Sequence, residues 1–267
     1  MRVSRWVVAR EYSVKRRSRR FVVEADGSRV EVAASRVYLL ALLGEGWITT
    51  GALELAYGEN VCIAFIGDRL AWFEPKPIRG VEYLIAQFKP ERGAEVAESI
   101  RRSWIAGAGE FLKKLGRRSG ASSVEELRGE VRGAVASYLG ATAAWIERLE
   151  GVYRRFLEAE CLSALLNAGL SPHLSLSGRE PVLEEFSLEF EFQMVWEPML
   201  SAGRAGLTRV DLSEVSALRS ALRYAKDRLE GLVAPHTTLR SLIWRKARAL
   251  ASSLLNPLMS YEAGWRS

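Results

Sequence analysis

The sequence predicts an α+β protein in which a small N-terminal β domain precedes a larger, all-α C-terminal domain. Short runs rich in β-branched residues occupy the first part of the 267-residue chain, whereas the later apolar positions recur mostly at helical spacing. Pro75 and Pro77 separate the two patterns. We therefore predict a β domain over residues 1–75, a linker over 76–80 and a helical domain over 81–267.

The β domain is predicted from five apolar segments and one turn. The segments read RWVVA, RRFVVEA, SRVEVAA, VYLLALL and VCIAFIG. Asp26 and Gly27 lie between the second and third segments, and this dipeptide favours a tight hairpin. The apolar spacing changes in TTGALELAYGE, which predicts a helix before the last strand.

Three stretches of the second domain carry a clear helical pattern. They cover residues 94–115, which end before Gly116, residues 123–139, and residues 211–232. Asp211 and Glu214 fit a capping box at the start of the third stretch. The segment after Tyr138, GATAAWIERLEGVYRRFLEAEC, is predicted to continue helically at once.

Composition limits the functional classes that suit this chain. Lysine and arginine total 38 against 32 acidic residues, a net charge of +6, and most of the cations are arginine. Arginine favours a phosphate-bearing partner, although this excess alone identifies none. Cys62 and Cys161 lie far apart without a metal-binding pattern, and no apolar run reaches the about 20 residues of a membrane span. A cytoplasmic protein with no membrane partner is therefore expected.

Residues 123–139, SVEELRGEVRGAVASYL, resemble a catalytic helix of the integrase of CRISPR adaptation modules, whose pattern runs LRGxEGxAAxxYF. The matching residues are Leu127, Arg128, Gly129, Ala134 and Tyr138. Three further segments resemble the same family in the same order: residues 48–67, the segment that begins EAECLSALLNAGLSPHLS, and the closing LIWRKARALASSLLNPLMSYEAGWR. The resemblance implies an N-terminal β domain that builds a two-fold dimer and a helical domain that carries the active site. We expect a homodimer, since so small a β domain gains from burying a face against a copy of itself.

The same resemblance implies that the metal ligands of the family are missing. The family performs phosphodiester transfer with Mg or Mn ions held by a Glu, a His and a later acidic residue. Val131 and Gly178 occupy the first two positions here. The third depends on register: Leu188 occupies it if Phe190 matches the family Phe, and Glu184 if Phe186 does. We favour the first register because the second shortens the preceding loop severely.

Four residues are fallback ligands: Glu184, Glu150, Glu130 and His173. Glu130 is adjacent to Val131, but one residue of displacement rotates a helical side chain by about 100°. His173 follows Pro172 in a predicted turn, where a surface role is expected. The family also inserts a long basic loop after the position of Tyr138, and this chain lacks it.

Five arginines could hold DNA phosphates near the altered site: Arg128, Arg132, Arg154, Arg155 and Arg179. The competing interpretation is that these side chains are solvated or paired with nearby glutamates.

We therefore favour a catalytically inactive relative of the CRISPR integrase, with no metal or other cofactor, that acts as a DNA-binding or structural subunit in spacer acquisition. Its partners would be DNA, a second copy, and an active integrase paralogue or another CRISPR adaptation protein. One alternative is an active Mg- or Mn-dependent DNA endonuclease or integrase whose ligands come from Glu130, Glu150, His173, Glu184, Glu185 and Glu189. The other is an interaction scaffold that binds no DNA.

Overall fold

The computed structural model describes residues 2–76, 81–88, 90–256 and 258–264. A β-sheet formed by the N-terminal region is followed by a mostly helical region, so the predicted α+β class is confirmed. Most of the predicted linker, residues 77–80 with Pro77, lies outside the described residues.

Six strands of the described N-terminal region form one mixed sheet in the order β3-β2-β1-β4-β5-β6. The strands are β1 (Val3–Arg17), β2 (Arg20–Ala25), β3 (Ser28–Ala33), β4 (Val37–Ile48), β5 (Cys62–Ile66) and β6 (Leu70–Phe73). The three central strands β1, β4 and β5 are parallel, and their neighbours towards both edges are antiparallel. Asp26 and Gly27 have φ angles of 45° and 77° and join β2 to β3, which confirms the predicted hairpin.

Helix α1 (Thr50–Glu59) connects β4 to β5, as predicted. Its first turn is capped by the Thr49 hydroxyl, which accepts a hydrogen bond from the Ala52 amide at 3.3 Å. Because successive side chains of a strand point to opposite faces, Leu40 packs with α1, whereas Leu39 belongs to a core shared with the helices. The sheet is therefore covered by α1 on one face and by the helical region on part of the other.

The helical region surrounds one long buried helix, α5 (Ala143–Ala168). The other described helices are α2 (Val81–Gln87), α3 (Pro90–Lys114), α4 (Val124–Leu139), α6 (Val182–Ser187), α7 (Glu197–Arg204), α8 (Val215–Glu230) and α9 (Leu239–Leu255). A 3₁₀ turn and a π-helical turn lie between α6 and α7, and a short hairpin of β7 (Leu232–Ala234) and β8 (Thr237–Thr238) connects α8 to α9. No helix in the described ranges combines the length and apolarity that a membrane crossing requires.

Three local predictions were wrong. Glu214, not Asp211, is the N-cap residue of α8, and the Asp211 carboxylate instead accepts bonds from the amide and hydroxyl of Ser213. Leu232 belongs to β7 rather than to that helix. The helix is also not continuous beyond Tyr138, because Gly140 adopts a left-handed conformation (φ 59°) that ends α4 at Leu139, and Thr142 caps a new helix; α5 nevertheless begins at Ala143, without the long loop of the family that the sequence resembles.

A buried carboxylate joins the sheet to the helices. Glu160 of α5 is 1% exposed and accepts hydrogen bonds from the Trp6 indole at 2.8 Å and the Tyr38 hydroxyl at 2.5 Å. Lys226 of α8 lies 4.7 Å from the Trp6 ring and donates to Ser4 of β1. Since buried donors and acceptors must be satisfied, these contacts determine how α5 and α8 lie against the sheet.

We expect Glu160→Ala to lower the free energy of unfolding by about 3 kcal/mol, because it leaves the buried Tyr38 hydroxyl and the half-buried Trp6 indole without their acceptor. Urea denaturation measures the change. The control is Glu147→Ala, at an exposed position of the same helix, which should shift stability by no more than about 0.5 kcal/mol. Equal effects of the two substitutions would contradict the role given to Glu160.

Candidate functional site

An open cleft of about 700 Å³ lies between α3, α4, α5 and the residues around α6. The structure brings together in its walls all the arginines that the sequence singled out: Arg128, Arg132, Arg154, Arg155 and Arg179. Glu150, Glu184 and Leu188 line the same cleft. Residues distant in sequence that were predicted to share one site therefore do meet.

Helices α4 and α5 position most of these side chains. The Ser123 hydroxyl accepts a hydrogen bond from the Glu126 amide and begins α4. Arg128 and Arg132 lie four residues apart on α4, as do Glu150 and Arg154 on α5, so each pair lies on one helix face. The two faces meet across the cleft, where they form a network of ion pairs.

Arg154 is the centre of this network. Its guanidinium donates to Glu150 at 2.7 Å and to Glu191 at 3.1 Å. Arg132 donates to Glu150 at 2.8 Å, and Arg128 donates to the two oxygens of Glu191 at 2.9 and 3.2 Å. We call these five residues, Arg128, Arg132, Glu150, Arg154 and Glu191, the cleft network.

The charges of the cleft network stabilise one another. Burial favours the neutral form of Glu191, but Arg154 and Arg128 lower its pKa overall. Burial would lower the pKa of Arg154, yet Glu191 and Glu150 raise it. The cleft network is therefore a set of true ion pairs in which each buried carboxylate already has its cationic partners.

Two more carboxylates beside the cleft network are also paired. Glu185 accepts bonds from Arg101 at 2.9 Å and from the Leu176 amide at 3.2 Å, although burial keeps its pKa raised. Glu158 binds Arg155 at 2.6 Å, and Arg155 also donates to the Asp68 carbonyl at 3.0 Å. Arginine therefore compensates the buried acids along the whole cleft.

Val131, Gly178 and Leu188, the residues that the favoured register of the resemblance assigns to the ligand positions, offer no metal-binding oxygen or nitrogen side chain. Val131 of α4 is 0% exposed and packs in the hydrophobic core of the helical region. Gly178 is exposed in a turn with φ 76°, and Leu188 is a half-buried apolar wall residue of the cleft.

The fallback ligands differ in their surroundings. Glu130 is exposed and His173 stacks on Trp72 at 4.6 Å, and neither lines the described cleft. Glu150 is held by two arginines. Glu184 faces the cleft, and its pKa is raised by partial burial and by the adjacent Glu180.

An Mg or Mn ion therefore does not fit this cleft well. Such ions need several oxygen ligands held in place, and guanidinium groups already occupy Glu150, Glu185 and Glu191. Within residues 2–76, 81–88, 90–256 and 258–264, no three His, Cys, Asp or Glu side chains form a group that could hold a metal. We assign no step of a reaction to a metal here.

Sequence reasoning missed Glu191 and Arg101. Glu191 lies in the LEFEF stretch, where polar and apolar residues alternate, and this pattern indicates no helical face. In the structure a π-helical turn begins directly after Glu191, and its carboxylate contacts Arg128 of α4 and Arg154 of α5. Arg101 lies off the apolar face of residues 94–115, and it reaches Glu185 on α6. No local pattern marks either contact.

A further carboxylate, Glu189, holds the C-terminal segment. It is 6% exposed and accepts a hydrogen bond from Tyr261, while the ammonium group of Lys246 lies 3.8 Å away. Burial raises its pKa to about 7, despite the opposing effects of Lys246, Tyr261 and the Gly264 backbone. Glu189 was one of the candidate ligands of the active-enzyme alternative, and the structure places it in this contact instead.

Comparisons with known proteins agree with the fold. Residues 6–157 match the family of the CRISPR-associated protein Cas1. The structure is similar to a Cas1 protein from Thermotoga maritima, with 16% identity, a TM-score of 0.74, and coverage of 99% of this chain and 100% of the other. It is also similar to a casposase bound to an integration product, with 14% identity, a TM-score of 0.71, and coverage of 96% and 91%.

A third similar structure is the Cas6-RT-Cas1–Cas2 complex, with 12% identity and a TM-score of 0.76 over 100% of this chain and 36% of the other. Comparison with curated proteins finds no significant match. The match to the family covers more than half of the sequence, and the chain belongs to the Cas1 family of CRISPR adaptation proteins. The structural likenesses, at these identities, support the fold alone.

We expect Glu191→Gln to destabilise the protein by about 3 kcal/mol at neutral pH, because it leaves Arg128 and Arg154 short of a buried negative charge. The pKa of Glu191 is lowered on folding, so its charge stabilises the fold above the unfolded pKa of about 4.3. This contribution is lost as the pH falls through the lowered folded pKa. Urea denaturation should therefore show that the difference in unfolding free energy between variant and wild type shrinks from neutral to acid pH. A difference that does not change with pH would contradict the cleft network. So would an equal loss of stability in the exposed control Glu126→Gln.

Glu189→Gln should have the opposite pH dependence. The folded pKa of about 7 lies above the unfolded value, so the stability that the neutral carboxyl contributes is lost as the pH rises towards 7. Between about pH 5 and about pH 8, the unfolding free energy of the variant should gain about 2.5 kcal/mol relative to wild type. Parallel pH profiles for the two proteins would show that Glu189 ionises normally.

Proposed function

We propose that this chain is a catalytically inactive Cas1-family protein that serves as a DNA-binding or structural subunit in spacer acquisition. One observation carries the proposal: arginines neutralise the buried carboxylates of the cleft, while Val131, Gly178 and Leu188 stand at the ligand positions that the family resemblance implies. A guanidinium supplies the positive charge that a metal would bring, but it offers no open coordination position for a reacting phosphate.

DNA binding at the cleft would rest on the arginines nearest to solvent. Arg179 is exposed, and no described contact pairs its guanidinium with an acid. The side chain of Arg132 is 38% exposed, and that of Arg155 is 32% exposed. These groups can contact phosphates without sequence preference, and the nearby glutamates limit the affinity that they can provide.

Partners are proposed from the relatives and from the sheet. One similar structure is bound to an integration product and another contains Cas2, which supports DNA and other adaptation proteins as partners. We propose a homodimer formed through the β domain, and a role beside an active paralogue remains part of the same proposal. Cys62 and Cys161 are buried free thiols, which suits the cytoplasm.

One observation favours the active-enzyme alternative. Partial burial and the neighbouring Glu180 raise the pKa of Glu184 in the cleft, and two neighbouring carboxylates of this kind can attract a divalent cation. The pair would have to recruit a further ligand, since the buried Glu158, which also raises the pKa of Glu184, is paired with Arg155. The same experiment tests both functions.

We expect no cleavage or strand transfer when the purified protein is incubated with labelled branched DNA in Mn, and the EDTA lane should look the same on a denaturing gel. An active family member cutting alongside validates the conditions. Metal-dependent products that disappear in Glu184→Gln but persist in the exposed control Glu147→Gln would show that a working site survives and would reject the proposal.

A mobility-shift assay on the same DNA then separates a DNA-binding subunit from a pure scaffold. The double variant Arg155→Gln/Arg179→Gln should bind more weakly than wild type, with a salt dependence whose slope is smaller by about 2. The control removes two exposed arginines of α9, Arg245 and Arg248. Absence of any shift at low salt would favour the scaffold.

A further inference from the structure

The turn between β1 and β2 carries the densest run of positive charge in the sequence. The five basic residues Lys15, Arg16, Arg17, Arg19 and Arg20 fall within six positions. Arg17 pairs with Arg20 across the hairpin, and Ser18 makes the tight turn with φ 56°. Residues 16–20 are all exposed. We call these five basic residues the hairpin cluster.

The side chains of the hairpin cluster point to both faces of the ribbon. Residues paired across two strands share a face, so Arg16 lies on the face of its partner Phe21, which packs in the core with α1. Arg17 and Arg20 therefore lie on the opposite face. A ribbon with cations on both faces can contact phosphates on either side of it.

The guanidinium groups of the hairpin cluster are more exposed than their acidic partners. Arg19 binds Glu59 at 2.6 Å and Arg17 binds Glu31 at 3.0 Å; the arginine side chains are 79% and 69% exposed, and the glutamate side chains 15% and 27%. Lys15 and Arg16 also pair with glutamates, Glu24 and Glu54. Ion pairs whose cation stays open to solvent are weak, so phosphate oxygens can reach the same guanidinium groups. No ion pair of Arg20 occurs among the described residues.

From these observations we propose that the hairpin cluster is a second contact for nucleic acid, which binds the backbone of duplex DNA without sequence preference. Guanidinium groups match phosphate geometry, and a two-stranded ribbon fits the width of the major groove. Base stacking of a single strand is less favoured, because Lys15 already lies 5.1 Å over the ring of the neighbouring Trp47. This inference rests on the DNA-binding role proposed above.

The hairpin cluster is distant from the cleft. Arg155 at the cleft donates to Asp68, just after β5, and Ile66 of β5 is level with Leu43 of β4 and Val8 of β1. The strand from Val8 to Arg17 then extends about 30 Å, with about 10 Å of lateral offset across two strand spacings. The two basic sites are therefore separated by roughly 30 Å, or about nine base pairs.

The spacing makes the inference testable with duplexes of two lengths. A hairpin-capped duplex of about 5 base pairs spans about 17 Å and is too short to reach both sites, whereas one of about 30 base pairs can reach both. The test variant is Arg17→Gln/Arg19→Gln/Arg20→Gln, and the matched control is Arg223→Gln/Arg245→Gln/Arg248→Gln, which removes three exposed arginines of α8 and α9. Thermal unfolding of both checks that they fold.

We expect the hairpin variant to bind the long duplex at least about tenfold more weakly than the control, with a salt slope smaller by about 3. It should still bind the short duplex at the cleft, so its loss of affinity for the short duplex should be much smaller than for the long one. If it binds the long duplex like the control, the inference is wrong, while the proposed function stands. If wild type binds neither duplex, the inference and the DNA-binding part of the proposed function are both rejected, and only a structural role is left.

Sedimentation of the same variants tests another use of the hairpin cluster. An unchanged oligomeric state is expected. If the hairpin variant alone dissociates into monomers, the cluster pairs with the acids of a second copy and the inference is overturned.

Discussion

The bond between Arg154 and the two buried carboxylates Glu150 and Glu191 is the interaction on which the cleft depends. A buried carboxylate is costly unless positive charge and hydrogen bonds compensate it. Arg154 lies on α5 and Glu191 in the turn before α7, and Arg128 of α4 reaches the same carboxylate. The network therefore fixes α4, α5 and the turn before α7 relative to one another, and these segments contribute to the walls of the cleft.

The same requirement explains how the two halves of the molecule join. Glu160 is buried on the same helix, but its hydrogen bonds come from Trp6 and Tyr38 of the sheet. Helix α5 thus carries one carboxylate that binds the sheet and another, Glu150, that binds the arginines of the cleft. Because both bonds depend on the position of this helix, a shift of α5 against the sheet would also disturb the cleft.

Arginine links the proposed functions of the two basic surfaces and also distinguishes them. In the cleft, guanidinium groups are half-buried and bound to buried glutamates, which favours a structural role for Arg128 and Arg154. In the hairpin cluster, the guanidinium groups are exposed, although their glutamate partners are only 27% and 15% exposed. Phosphates can therefore reach the guanidinium groups of the hairpin cluster more easily than those of Arg128 and Arg154 in the cleft. The hairpin cluster suits DNA well, although sequence reasoning did not single it out.

Local patterns in the sequence determined the α+β class, the Asp26–Gly27 hairpin and the helix that begins after Ser123, because turn residues, caps and apolar periodicity act within a few positions. Family resemblance also brought five arginines to one site correctly. Only the tertiary structure decided which acids they bind. Arg128 and Glu191 are 63 residues apart in the sequence. Their contact depends on how the helices pack and on the π-helical turn after Glu191. Periodicity describes which side chains share a face of one element, but it does not say which residue of another element they meet.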